Sequence, residues 1–274
     1  MKIYWKNLIC LIFVPIFVQA DSLTFFKGHQ FPGGVAVLEL PNSIISATYK
    51  GRQVFIDSTN NKPKALVGIP LSTKPGIEKI KLSSGKELSF KVQPFDYPEQ
   101  RIKLKNKRQV NPNPLDLERI KKEATRQRKA TRNFNKNRIP NLKMSLPVSG
   151  IISGPFGRKR FFNDQPRRPH SGIDIAAPSG TKILAAADGE IALVGDFFFN
   201  GKLVIIDHGQ GVTSMYCHLK DISVRQGDMI TEKQVLGTVG STGRSTGPHL
   251  HFGVAINGAW VNPSLFVHGI SSLK

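Results

Sequence analysis

The sequence predicts a mainly β protein: an N-terminal immunoglobulin-like β-sandwich, a basic helical connector and a C-terminal domain built on an antiparallel sheet. Three observations lead there. Short apolar stretches alternate with paired turn residues through most of the chain, the excess positive charge is gathered in one segment, and that segment opens with a helix-start signature. With 274 residues, 39% of them hydrophobic, there is enough chain for a sizeable core and about two domains. A disordered or collagenous chain is excluded.

The first element is a leader. Lys2 and Lys6 precede an apolar run from Leu8 to Val18, and Val18-Gln19-Ala20 follows as a cleavage pattern, which predicts an export signal peptide over 1–20. The run is shorter than the ~20 residues a membrane span needs, so an uncleaved anchor is the weaker alternative. Bulky Ile9 ahead of Cys10 argues against a lipid-modified cysteine. The mature chain is then expected from Asp21, periplasmic or secreted, with Cys217 as its one cysteine and no internal disulfide. Between Tyr216 and His218, Cys217 reads as a small buried hydrophobe rather than a reactive thiol.

Residues 21–100 are assigned to the β-sandwich accessory domain. Gly33-Gly34 stands before "VAVLEL", Asn60-Asn61 before "KALVGIPL", and Ser84-Gly85 sits inside "IEKIKLSSGKELSFKVQ" as a hairpin signal. The Cys–Trp–Cys hallmark of antibody domains is absent, and His29 reads as an ordinary surface or core residue.

Residues 101–143 form the basic connector, with 15 basic and 3 acidic side chains; the flanking segments 21–100 (10 and 7) and 144–274 (12 and 9) are nearly balanced. The net charge of +20 therefore lies mostly in the connector, which argues against a nucleic-acid-reading domain. Asn113 as cap, Pro114 at the first helical position and Asp116 in the first turn predict a helix over about 114–130, with Leu117, Ile120 and Ala124 on one face. Glu118 and Lys122 add a favourable i,i+4 pair. The connector reads as a solvated linker or as an electrostatic contact with an anionic wall or membrane face.

Residues 144–274 hold six of the seven histidines and the turn signals Asp188-Gly189, Asn200-Gly201, Gly227-Asp228 and Asn257-Gly258. In "PHSGIDIAAPSGT", His170 and Asp174 are four apart, but Pro169, Gly172, Ile173 and Ile175 predict a loop entering a strand. In "GPHLHFGV", period two sends His249 and His251 to one face and Leu250 to the other. Unpaired imidazoles buried together are costly, and a cation would resolve that cost. His170, Asp174 and one of the 249/251 pair make a zinc set of three ligands plus water, although copper or manganese could use similar donors. The other histidine of the pair and His218 are left free to act beside the metal.

The run "GSTGRSTGP" at 240–248 lacks the Gly-Lys-Ser/Thr ending of a phosphate loop and is expected to let backbone approach an extended peptide. Ser241 or Ser245 as a nucleophile would need a base that the metal reading already employs. His208 and His268 read as structural or solvent-facing.

These motifs resemble the lysostaphin/LytM-type zinc endopeptidases, which have the duplicated hybrid motif fold and cleave peptide bonds in peptidoglycan. "HSGIDIAAPSGT", "YCHL" and "GRSTGPHLHFGV" carry the resemblance, together with "GPFGRKR" at 154–160, "DHGQGV" at 207–212, "VRQGDMI" at 224–230 and "VNPSLF" at 261–266. It implies one Zn2+ held by His170, Asp174 and His251, with His218 and His249 as the catalytic histidines. All five positions are filled, whereas non-catalytic relatives typically lose some. The N-terminal half is less specifically similar to the accessory region of exported Gram-negative members. The implied substrate is a stem peptide or cross-link, D-Ala to diaminopimelate in preference to a glycine bridge, acted on by a monomer. The competing reading is a wall-binding or amidase-activating module without activity.

Overall fold

The computed structural model describes residues 23–59, 62–267 and 270; the export signal, the Asn60-Asn61 turn and His268 lie outside the described residues. The architecture is mainly β, with one α-helix among the described residues.

The C-terminal half is organised by one sheet. In spatial order its strands are Met229–Ile230, Gly189–Phe197, Gly201–Gly209, Val212–Ile222, His249–Ile256, Ile173–Ala176 and Ile151–Gly154, each antiparallel to its neighbour. Asn257-Gly258 turns the chain from His249–Ile256 into Ala259–Val261 with both residues at positive φ (44° and 72°), the conformation a tight hairpin demands and Asn-Gly supplies at low cost. Val212 to Leu219 is buried without a break, so both faces of the sheet are covered.

On one face, Tyr216, Phe252, Val254 and Ile256 share a core with Leu23, Phe26, Phe55 and Leu66 of the N-terminal half. Gly68 and Asn257 fasten that junction: the Gly68 N–H donates to Asn257 Oδ1 (2.7 Å) and Asn257 Nδ2 donates to the Gly68 carbonyl (3.3 Å). On the other face, Leu193, Phe197, Leu203, Ile205, Met215 and Cys217 pack with Ala130 at the end of the connector helix. That helix, Pro114–Thr131, starts on the expected Asn113 with a full capping box to Asp116. It is not a free linker. Arg126 lies over Phe197 (5.1 Å), and Gln127 Nε2 donates to Asn200 Oδ1 (2.9 Å).

The N-terminal half forms two small sheets. Val35–Glu39, Lys64–Gly68 and Phe55–Asp57 make one; Arg52–Gln53, Ala47–Tyr49, Gly76–Leu82 and Glu87–Val92 make the other. Leu38, Val54, Val67, Ile80 and Val92 belong to their shared core. The strand Glu99–Ile102 then pairs in parallel with Lys159–Phe162, a departure from the otherwise antiparallel pattern that the sequence did not announce.

A buried polar chain sits inside the second half. His208, fully buried, donates Nδ1–H to the Asp188 carbonyl (2.6 Å) and takes the Ser214 hydroxyl on Nε2 (2.7 Å). Ser214 Oγ lies 3.0 Å from the Tyr216 hydroxyl, which accepts the Ala186 N–H (2.9 Å). This chain is satisfied with a neutral imidazole, and burial holds the His208 pKa below its ordinary 6.5. The unfolded chain therefore binds more protons than the folded one below about pH 6.5, and stability falls as pH drops through that value. Denaturant titrations at pH 7 and pH 5 are expected to show a smaller loss for His208→Asn than for the unchanged protein, and an equal loss would reject this assignment.

Candidate metal centre

The loop leading into Ile173–Ala176 brings His170 and Asp174 against the neighbouring strand, where Asp174 is registered opposite His251. Gly172 makes this approach possible: a Cβ there would stand 2.8 Å from the His251 ring and collide with the Phe252 carbonyl. The strand alternation expected for His249–Ile256 is present, with Leu250 fully buried in the core and His249 and His251 on the opposite face.

Three donor atoms converge, one each from His170, Asp174 and His251, all within 4.8 Å of one another. His170 Nε2 is 2.9 Å from Asp174 Oδ1 and 3.0 Å from His251 Nδ1, and His251 Nδ1 is 2.8 Å from the same carboxylate oxygen. The hydrogen-bond network assigns the protons. His170 donates Nδ1–H to the Pro155 carbonyl (2.8 Å), so its Nε2 carries a lone pair. Burial pushes this imidazole down to about 4, so it is neutral at physiological pH. A lone pair is thus aimed at a carboxylate oxygen and a second imidazole nitrogen, an arrangement a divalent cation stabilises. The donor chemistry, two imidazoles and one carboxylate, fits a three-ligand zinc centre with an open position.

The other carboxylate oxygen is already engaged. Arg160 Nη2 donates to Asp174 Oδ2 (2.7 Å), which leaves Oδ1 for an ion. Spacing alone could not single out Arg160, since arginines are common in this basic chain.

His218 and His249 stand beside this cluster, their ring centroids 4.7 Å apart, and His218 is 6.2 Å from the His251 ring. His218 owes its position to a β-bulge: Tyr216 faces Val204 and Leu219 faces Lys202, so Cys217 and His218 together oppose Leu203. The bulge puts His218 at φ 66°, a left-handed conformation that costs a non-glycine residue roughly 1–2 kcal/mol. Its Nδ1–H donates to the Thr242 carbonyl (2.7 Å) and its backbone N–H to the Asn200 carbonyl (2.9 Å). His249 donates Nδ1–H to the Gly247 carbonyl (2.8 Å). Both rings are thus held by their Nδ1 atoms, with Nε2 directed away from these carbonyls. Burial, reinforced by His249 and His251, pushes His218 down to about 3.

The 240–248 loop supplies the carbonyls of Thr242 and Gly247 that orient these two rings. Ser245 Oγ lies 3.2 Å from His249 Nδ1, but that nitrogen carries its proton to Gly247 and cannot activate the hydroxyl. Cys217 is fully buried, and burial raises its thiol to about 12, in keeping with a packing role.

Sequence comparison agrees with the geometry. The profile of Peptidase family M23 matches residues 168–263, and that of the Peptidase family M23 N-terminal domain matches residues 28–94. A Pseudomonas aeruginosa chain whose crystal structure carries an M23 peptidase description is 40% identical, with a TM-score of 0.75 over 90% of this chain and 98% of that one. The protein belongs to peptidase family M23. This bears out the LytM-type resemblance and the mainly β fold. Curated relatives include the DD-carboxypeptidase/endopeptidase Mpg of Neisseria meningitidis, 48% identical over 112 residues covering 41% of this chain. The peptidoglycan DD-endopeptidase ShyC of Vibrio cholerae is 36% identical over 150 residues, 55% of this chain. The match spans 26% and 28% of those two relatives' own lengths.

Proposed function

We propose that this M23 protein is a zinc-dependent endopeptidase that hydrolyses peptide bonds in peptidoglycan stem peptides or cross-links outside the cytoplasm. The observation that carries this reading is the convergence of the His170, Asp174 and His251 donor atoms beside two imidazoles held in place through their Nδ1 atoms. The D-Ala to diaminopimelate cross-link is the favoured bond, supported by the DD-endopeptidase relatives. An ion held by the three donors would polarise the scissile carbonyl and lower the pKa of a bound water toward neutrality.

The remaining work falls to the chain's own groups. His218 and His249 share two tasks: one Nε2 accepts the proton of the attacking water, and the imidazolium so formed can pass it to the leaving amine. The other ring donates to the oxyanion of the tetrahedral intermediate. No glutamate of a His-Glu-x-x-His segment is present to act as base. Arg160 fixes the carboxylate, and the Thr242 and Gly247 carbonyls keep the two rings in one tautomer. The connector's positive charge is proposed as a tether to anionic wall polymer or membrane, with the enzyme acting as a monomer in the periplasm or after secretion.

Incubating the protein with purified sacculi, with chelator and after zinc is restored, tests the reading. Loss of cross-linked muropeptide dimers that stops with chelator and returns with zinc is expected. Unchanged sacculi with saturable binding would instead identify a wall-binding module.

A further inference from the structure

We propose that Arg244 is a specificity residue that binds a carboxylate of the peptide substrate, in a groove along the connector helix. This rests on the peptidase reading and narrows its substrate class to peptides bearing a free carboxylate near the scissile bond.

The groove lies between the connector helix, the Phe197–Asn200 turn and the 240–248 loop, and encloses about 750 Å3, room for a short stretch of peptide. Its lining includes five cations and a single carboxylate. That carboxylate, Glu123, is engaged: Oε1 takes Arg119 Nε (2.6 Å) and Oε2 takes the Phe198 N–H (2.9 Å).

Arg244 is set apart from the other cations by its surroundings. Its guanidinium is clamped between two aromatic rings, 4.2 Å from the Phe199 centroid and 4.4 Å from that of Phe162. Among the described residues no carboxylate and no hydrogen-bond acceptor meets it, and its charged neighbours are Arg160 and Arg167. Burial, with those two like charges adding, depresses its pKa to about 10. Neither neighbour can relieve it. Arg160 is committed to Asp174, and Arg167 to the neutral acceptors Gln165 Oε1 (2.6 Å) and the Val110 carbonyl (2.9 Å).

A partly buried guanidinium without a counter-charge is costly. Stacking fixes its plane while leaving the N–H edge free, the geometry that suits a bidentate carboxylate. The order imposed by the two rings means little freedom is lost when such a ligand arrives.

Chain continuity puts this fork next to the reacting centre. Arg244 is two residues beyond Thr242, whose carbonyl holds His218, and directly precedes Ser245, whose hydroxyl is beside His249. Its backbone N–H donates to the Phe199 carbonyl (2.8 Å), and Gln109 Nε2 from the connector donates to the Gly243 carbonyl (2.7 Å). The loop that orients His218 and flanks His249 thus also carries the fork. A neutral glycine bridge has nothing to offer it; a stem peptide has side-chain and terminal carboxylates.

The test uses the zinc-loaded full chain, a cross-linked muropeptide dimer, and the same dimer with its carboxylates converted to primary amides. We expect the acid form to exceed the amide in kcat/KM by about tenfold or more in the unchanged protein, the range of a charge-assisted pair. In Arg244→Met that ratio is expected to collapse toward one, and Arg244→Lys to fall between. An amide cleaved as well as the acid, or a Met variant that slows both peptides in equal proportion, overturns the proposal.

Binding of the two dimers to the metal-free protein, measured by titration calorimetry, judges the subsite without turnover. If neither dimer is cleaved, the peptidase reading fails. Preference for the acid in calorimetry, lost in Arg244→Met, still supports the subsite. Arg244-dependent binding of inorganic phosphate with no difference between acid and amide dimers overturns the carboxylate assignment.

Discussion

His251→Ala is expected to lose zinc and activity together, with turnover of muropeptide dimers falling by on the order of a thousandfold or more. The loss corresponds to removing several kcal/mol of transition-state charge stabilisation. His251 Nδ1 sits 2.8 Å from Asp174 Oδ1 and 3.0 Å from His170 Nε2, so deleting it leaves two donors where three converged. The variant should still fold. Without an ion, the lone pair of His170 Nε2 faces both of its neighbours, and removing one imidazole relieves that crowding while leaving a small void beside His170 and Asp174, on the face of the strand opposite Leu250 and Phe252. Two measurements separate metal from fold. Zinc content per chain should drop to near zero, and the melting temperature with chelator should remain close to that of the unchanged protein. Adding zinc should raise the melting temperature of the unchanged protein alone, since a ligand at a thousand times its Kd stabilises by about 4 kcal/mol. A His251→Ala protein that retains a full ion and its zinc-induced thermal shift would remove His251 from the ligand set.

The parts of this site that depend on strand period were legible in the sequence. His249 and His251 share a face because side chains alternate along an extended chain, and Leu250 between them is fully buried as that alternation requires. Pro169, Gly172 and the β-branched residues after it signalled the loop-to-strand path that delivers His170 and Asp174. The bulge at His218 was not legible. A two-against-one pairing depends on the partner strand, and nothing in "YCHL" shows that Cys217 and His218 both stand opposite Leu203. The backbone carbonyls of Pro155, Thr242 and Gly247 were equally hidden, since every residue carries one and tertiary placement alone decides which imidazole it meets. The connector helix was found by its cap and first turn, but its docking was not. Leu193, Leu203 and Ile205 read as buried strand residues whichever element covers them, and Ala130, the helix residue that meets them, has no distinctive signature. Arg160 and Arg244 escaped for a related reason: in a chain with 39 Lys and Arg, an arginine gains significance only from what it touches.

His249→Ala and His218→Gly are each expected to keep zinc and lose turnover by about a hundred- to ten-thousandfold, the usual contribution of a positioned acid or base. Neither ring supplies one of the three converging donor atoms; His249 Nε2 is 3.8 Å from Asp174 Oδ1. Glycine is the informative replacement at position 218 because it separates chemistry from strain. The left-handed backbone at φ 66° costs histidine about 1–2 kcal/mol, which glycine does not incur, while the variant gives up the hydrogen bond to Thr242, worth about 1 kcal/mol net. These terms oppose each other, so His218→Gly should melt above His218→Ala, which leaves the same void but keeps the strain, while both are almost inactive. A glycine variant more stable than alanine yet equally inactive is what a strained catalytic residue predicts. Because the two rings act on one proton path, the double variant should be scarcely worse than either single variant. Stoichiometric zinc, thermal melts and single-turnover rates for these proteins decide the matter. A metal-free His249→Ala would transfer that residue to the ligand set. A His218→Gly protein that cleaves dimers at the unchanged rate would leave His249 to handle the proton alone.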